Sequence, residues 1–487
     1  VTLIPKTKPG EYSAELPAEF SAAELSDYLS VYCANPLFRS ARFEELEIDD
    51  DPYRRPVRPE DLSFLRFDRP FGRADSSRLS ALIGHRMLLN IYDTAKPMFA
   101  EKMTPERWEE YRLFYGERNR VLGELVRPLL EDHVFGFVRA AVEEQAADAD
   151  EPGVTSLAHL LTDVAGQRAR AAEEVVNLVA AAGATAEAAK MTAVQLLAGT
   201  INAPLRVSPL MIPTADSGSG ATALTSARRE PHPIDDVLGA VMDACGFGVQ
   251  PHRYYQYYLP STLAAMNYLN ATARDHGRVF EFLGAMCVRT LDSLALIGGH
   301  GARLAALAGP ADTARTEAAL VRTAPEADST AAVEEITRTV LEPLSQRFGP
   351  QALAAFDCGA REYAMLLDVH HDDLTIQLRW IDSSPAYRAK AERLQAAIDE
   401  HHIPVALDTF VESWEECSTT HVHDDDRLLV IESGEMEFWN CFSGTHKFRP
   451  GDKLFIPKHR LHGSVVLSGE CVYHQPVIDA DLDRRYG

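Results

Sequence analysis

The strongest constraint on this chain is the spacing of three histidines near its C-terminus. His421-Val-His423 is followed by Gly434, Pro450-Gly451-Asp452, Pro457 and then His462. Side chains alternate along a strand, so histidines two apart share one face. His462 comes 39 positions after His423 and can return beside the pair if the interval folds as consecutive strands. The interval reads that way. Residues 428–431 are an apolar run ending in Ser433-Gly434, 435–440 begin by alternating charged and apolar, and Pro450-Gly451-Asp452 is turn chemistry. Residues 453–457, 461–467 and 471–477 read as further strands. Short strands with glycine and proline turns predict a small β-barrel. Imidazole suits iron, zinc, copper and nickel, and three protein ligands leave coordination positions open.

On these residues the stretch resembles the cupin family. Its first motif is His-x-His, a Glu three or four positions on, and a Gly after six more. His421, His423 and Gly434 match, whereas Arg427 stands at the Glu position. The second motif matches at Gly451, Pro457 and His462 and departs at His459 and Val466, where Gly and Asn are usual. The resemblance implies a three-histidine site, a variant that accompanies iron and oxygen chemistry. Arg427 has two readings: a cation that holds a substrate carboxylate bidentately, or an outward pair with Asp424, Asp425 or Asp426. His459 reads as a turn residue or a donor behind the ligands. Tyr473 and His474 occupy the last strand, where alternation turns one of them inward, and His474 is a candidate fourth ligand.

The rest of the chain is helical in pattern. Ser21 caps a helix over 22–32, and Leu79, Leu82, Ile83, Met87, Leu88 and Ile91 repeat at helical spacing within 77–100. Thr104-Pro105 opens another helix to about 127, and Pro128 is expected to separate it from a further one ending near 144. The acidic stretch 146–153, ending in Pro-Gly, is the first expected boundary. Helices are then expected over 156–182, 185–200, 232–245, 260–276, 278–296 and 329–348, with two more over 351–403. Residues 216–233, with Ser-Gly-Ser-Gly, read as a loop. The expected architecture is an α+β multidomain chain: a helical N-terminal dimerisation domain (1–150), a helical bundle (151–405) and the β-barrel (406–487).

Asp368 and His371, three apart, share a helix face and are a candidate metal pair. The region 155–405 resembles the heme-oxygenase-like diiron oxidases, on residues 254–267, Gly284 and 368–371. With the cupin, it resembles three-domain N-nitrosating non-heme iron enzymes of the streptozotocin-biosynthesis type. That resemblance implies a diiron domain that hydroxylates the guanidine nitrogens of a methylated arginine, and a cupin that rearranges the product with N–N bond formation. The diiron pattern departs at Ala364, Ser226 and Arg289, which stand where His, His and Glu are expected. Asp216, Asp368 and His371 remain as a residual second site, with Glu281, Glu362 and His370 as alternatives. An arginine cannot ligate a cation and repels one.

A formal charge of -24 disfavours nucleic acid and anionic membranes as partners. Seven dispersed cysteines, none in Cys-x-x-Cys, and an opening Val-Thr-Leu-Ile-Pro-Lys suggest reduced thiols and a cytoplasmic setting. The functional expectation is an enzyme using Fe(II) at the cupin and O2 on a nitrogen-rich amino-acid derivative, with the bundle as scaffold. The alternatives are a bifunctional enzyme with an active diiron N-hydroxylase, and a non-catalytic metal-binding cupin on a helical dimer.

Overall fold

The computed structural model describes residues 22–42, 51–146, 151–201, 233–248, 250–309, 329–382, 384–414, 416–440 and 444–487. It is an α+β chain: a long series of helices, then antiparallel sheets at the C-terminus. No described helix is long and apolar enough to cross a membrane.

Thr104 caps the Pro105–Tyr115 helix as its sequence predicts, its side chain accepting from the Arg107 N–H at 3.3 Å. Pro128 does not separate two helices: Glu117–Ala146 is one helix with the proline inside. Val126, Leu130, Val134 and Val138 on either side of it are fully buried in one core. Burial of that stripe outweighs the roughly 3 kcal/mol that an interior proline costs. The helix expected over 77–100 is shorter, Leu79–Asp93; Pro97 lies just beyond and disfavours helical backbone before it. The helix Val279–Ser293 continues through a π-helical turn at Leu294–Gly298 into Gly299–Ala308.

The expected boundary near residue 150 does not divide the core. Leu29, Tyr53, Met87 and Val134 from one side of it share a cluster with Leu161, Phe282, Phe356 and Leu366 from the other. Arg55 ties the same two parts together. It is fully buried, donates to Asp93 at 2.9 Å and lies over the rings of Phe114 and Tyr255.

The longest helix, Pro350–Asp382, lies against Val279–Ser293. Two glycines set how closely. A Cβ on Gly284 would overlap the Phe356 carbonyl oxygen, and one on Gly359 would overlap that of Glu281. Each helix therefore presents a glycine to the other's backbone.

Among the described residues seven strands follow: β1 (Thr409–Ser413), β2 (Arg427–Ser433), β3 (Met436–Trp439), β4 (Thr445–Phe448), β5 (Lys453–Ile456), β6 (Gly463–Val466) and β7 (Glu470–His474). They form two antiparallel sheets, ordered β1-β7-β2-β5 and β4-β3-β6. The barrel expected from the sequence is not closed, because among the described residues the ladders run within each sheet. The sheets share a core of Leu429, Ile431, Met436, Phe438, Phe448, Leu454 and Ile456. Trp380, near the end of the longest helix, enters that core.

The four-stranded sheet is covered on its other face as well. Ala391, Leu394 and Ile398 of the Ser384–His401 helix pack on Leu428 and Phe455 with Leu482 of the terminal Ala480–Tyr486 helix. Burial on both faces explains why β2 and β5 are continuous apolar runs rather than alternating ones.

The glycine contact gives a direct test. Gly359→Ala will lower stability by about 2–3 kcal/mol. Gly136→Ala, whose added Cβ meets nothing within 4 Å, will leave stability unchanged or raise it. Urea unfolding of the two variants measures both.

Candidate metal centre

The histidine pair is not carried by a ladder strand. His421 makes an isolated antiparallel bridge with His462. The two residues exchange both backbone bonds: His421 N–H donates to the His462 carbonyl at 2.8 Å, and His462 N–H to the His421 carbonyl at 3.0 Å. His423 nonetheless lies on the same side as His421, their Nε2 atoms 3.0 Å apart.

The three rings lie with centroids 4.6–4.8 Å apart. One nitrogen from each lies within 4.8 Å of the others, the one such group of metal-ligating side chains among the described residues. His421 Nδ1 donates to the Thr419 carbonyl and His462 Nδ1 to the Arg460 carbonyl, each at 2.7 Å. Those bonds fix the tautomer and leave both Nε2 lone pairs facing inward. His421 Nε2 and His423 Nε2 are 3.0 Å apart. His462 Nε2 is buried with no protein partner.

This donor set fits a divalent transition metal. Metal–nitrogen bonds of about 2.0–2.1 Å at right angles place two ligands about 3 Å apart, the spacing seen between His421 and His423. Burial holds all three imidazoles neutral, as ligands must be. His421 is pushed down to about 4, chiefly by loss of solvent and further by the positive charges of Arg58 and Arg86. His423 and His462 lie well below the usual histidine range, again by burial first, then by His462 and His421 acting on His423 and by His421 acting on His462.

The surroundings fix these rings. Phe438 stacks on His462 at 5.5 Å and 17°. Trp439 Nε1 donates to Thr420 Oγ1 at 3.1 Å. A side chain at Gly463 would collide with the Trp439 indole, so the residue after His462 must be small. From the N-terminal part, Ser40 and Thr419 hydroxyls meet at 2.7 Å.

The other sequence candidates are placed as follows. Arg427 takes its outward reading, with Nε donating to Asp425 Oδ1 at 2.8 Å and Nη1 3.7 Å from Asp408. His459 sits at φ 60°, and its N–H donates to the His423 carbonyl at 2.8 Å, so it supports a ligand's backbone. Its Nε2 is buried without a partner. Tyr473 faces the inter-sheet core and donates to Glu412 Oε1 at 2.8 Å. His474 has its two nitrogens against Thr409 Oγ1 and Glu432 Oε2, both at 2.9 Å, and does not join the three histidines.

In the bundle, Asp368 pairs with the guanidinium of Arg168, and His371 Nε2 lies 3.1 Å from Glu174 Oε2. His370 is held between Ser261 and Thr262 hydroxyls at 3.4 and 3.3 Å and pushed down to about 4 by burial. Glu362 accepts from Tyr268 at 2.6 Å, and Glu281 pairs with Arg278 at 2.5 Å. Burial raises Asp292, and the charges of Arg168 and Arg289 oppose the rise. Asp216 and Ser226, and the loop that contains them, lie outside the described residues. Arg168 was missed by sequence reasoning. It stands 200 positions from Asp368, with no local signal connecting them.

No family model matches the chain. A curated protein does: the nitrosourea synthase of Streptomyces achromogenes subsp. streptozoticus, 27% identical over 478 residues, which cover 94% of this chain and 96% of that one. The chain is similar to that synthase over most of its length. The resemblance to the streptozotocin-type architecture thus extends beyond the three histidines to the helical series and the sheets that follow it.

The Arg168–Asp368 pair yields a prediction. Arg168 is 5% exposed and Asp368 43% exposed, so Arg168→Met will cost about 1–2 kcal/mol rather than the larger penalty of a fully buried pair. Adding Asp368→Asn will recover part of the loss, because the stranded carboxylate is gone. A double-mutant cycle in urea reads the coupling.

Proposed function

We propose that this protein is an oxidoreductase of natural-product biosynthesis whose three-histidine centre, loaded with Fe(II), uses O2 to oxidise or rearrange a guanidino or N-hydroxylated amino-acid derivative, with formation of an N–N bond. The observation that carries this reading is the convergence of His421, His423 and His462, with two Nδ1 atoms tied to backbone carbonyls. Its relative over 94% of the chain, a nitrosourea synthase, supports the nitrogen chemistry.

Iron in this donor set would supply reversible one-electron chemistry and open positions for a bidentate substrate and dioxygen. The chain's own residues do the rest. Burial keeps the imidazoles unprotonated. The carbonyls of Thr419 and Arg460 hold the two tautomers and ring planes. His462 closes one side at 2% exposure, while His421 and His423 are half-buried and leave an approach for substrate.

In this proposal the bundle is a scaffold. Arg168 supplies to Asp368 the positive charge that a metal would, and Glu281, Glu362, His370 and His371 already have protein partners. The cupin would then act on a substrate N-oxygenated by another enzyme. The proposal retains a cytoplasmic homodimer, for which Phe99 and Trp108, 57% and 41% exposed, offer an N-terminal contact surface.

The test compares a methylated arginine with its N-hydroxylated derivative, in Fe(II)-loaded protein, by oxygen electrode and product mass. We expect oxygen uptake and a rearranged product only from the hydroxylated compound, and loss of both in His462→Ala. Equal turnover of the unhydroxylated amino acid would contradict the scaffold role. No uptake with either compound would contradict this choice of substrate class.

A further inference from the structure

The longest helix, Pro350–Asp382, reaches from the bundle to the metal centre. His370, Asp373 and Gln377 fall on one face of it, at spacings of three and four. The first two are bound within the bundle: His370 by Ser261 and Thr262, and Asp373 by Ser261, whose hydroxyl donates to it at 2.6 Å. Gln377 is bound to the sheets.

Its contacts are specific. Gln377 is 0% exposed. Its Oε1 accepts from Leu461 N–H at 3.0 Å, and its Nε2 donates to the Asn440 carbonyl at 2.9 Å and reaches the Leu461 carbonyl at 3.4 Å. The side chain thus acts as a substitute strand, pairing both backbone groups of the residue just before His462. The neighbours of Leu461 are the ones that fix the ligand. The Arg460 carbonyl accepts from His462 Nδ1, and His462 N–H is bonded to His421. Asn440 directly follows Trp439, whose indole holds Thr420 beside His421. One amide of a bundle helix therefore pins backbone next to both ligand-bearing segments.

We propose that Gln377 is a positioning residue of the metal centre, through which the helical bundle sets where His462 presents its nitrogen. This rests on the reading of the three histidines as a metal site. It assigns the bundle a role in the cupin's chemistry that needs no metal of its own. Without the amide, three buried backbone groups lose their partner, and Leu461 can satisfy them only by moving, which moves His462.

The probe is Co(II), titrated anaerobically into full-length protein and followed by its visible absorption, with thermal unfolding alongside. The variants are Gln377→Met, which keeps the volume and removes the bonds, and Gln377→Glu, which keeps the acceptor for Leu461 N–H. Leu366→Ala is the control: it opens the same helix's buried apolar packing in the bundle core, in a cluster that includes neither Leu461 nor Trp439. We expect Gln377→Met to weaken Co(II) binding at least tenfold, in the range seen for partners behind metal ligands, and to change the band shape at saturation. Gln377→Glu should fall between Met and wild type, a partial rescue. Leu366→Ala should lower the melting temperature and leave affinity and spectrum alone.

Wild-type affinity and spectrum in Gln377→Met would overturn the proposal, as would equal weakening in Leu366→Ala. If Gln377→Met does not fold, Gln377→Glu carries the test, and wild-type binding there overturns it. A wild-type protein that gives no Co(II) spectrum would instead remove the metal reading on which the proposal stands.

Discussion

The candidate site depends on one backbone contact, the reciprocal hydrogen-bonded bridge between His421 and His462. Two ligands separated by 41 positions must return within hydrogen-bonding range of one another, and everything between them serves that return. The turns at Gly434 and Gly451 adopt φ of 82° and 90°, values that favour glycine. The core between the sheets holds the returning strands in register. Neutral imidazoles then face each other, His462 buried and the other two half-buried, with no protein partner for His462 Nε2, which is costly unless something binds there.

The helical part braces this contact. The closely packed pair of helices at Gly284 and Gly359 gives a rigid beam, and its far end inserts Trp380 into the sheet core. A second apolar cluster joins Val194, Leu263 and Leu378 of the helices with Val422, Trp439, Leu461 and Val465 around the histidines. From the N-terminal part, Ser40 reaches Thr419. The candidate metal centre therefore lies where three stretches of chain meet, and its geometry belongs to all of them.

The cluster of three histidines was legible because its signal is local: a His-x-His pair, turn residues at fixed intervals, and a third histidine after a short strand. Helix positions were legible from apolar periodicity and from caps such as Thr104. What was not legible is set by contacts between distant segments. Pro128 stays in a helix because its neighbours are buried by elements elsewhere in the chain. β1 and β4 escaped notice; β1 exposes Val411, and β4 is a short polar run ending in Phe448. The sheets were read as a closed barrel because strand counts do not reveal which edges pair. Arg427 was left between two roles, and only the position of Asp425 distinguishes them. Arg168 and Gln377 act on residues 200 and 84 positions away, and no spacing rule connects them.

The central claim is that the chain holds one metal, at the histidines, and that the helices around Asp368 hold none. The most direct measurement is iron per chain after anaerobic Fe(II) loading, for wild type and for the double variant His421→Ala with His423→Ala. The account predicts one iron per chain in the wild type and none in the variant. Close to three in the wild type, with two retained in the variant, would contradict it and give the bundle an active metal site of its own.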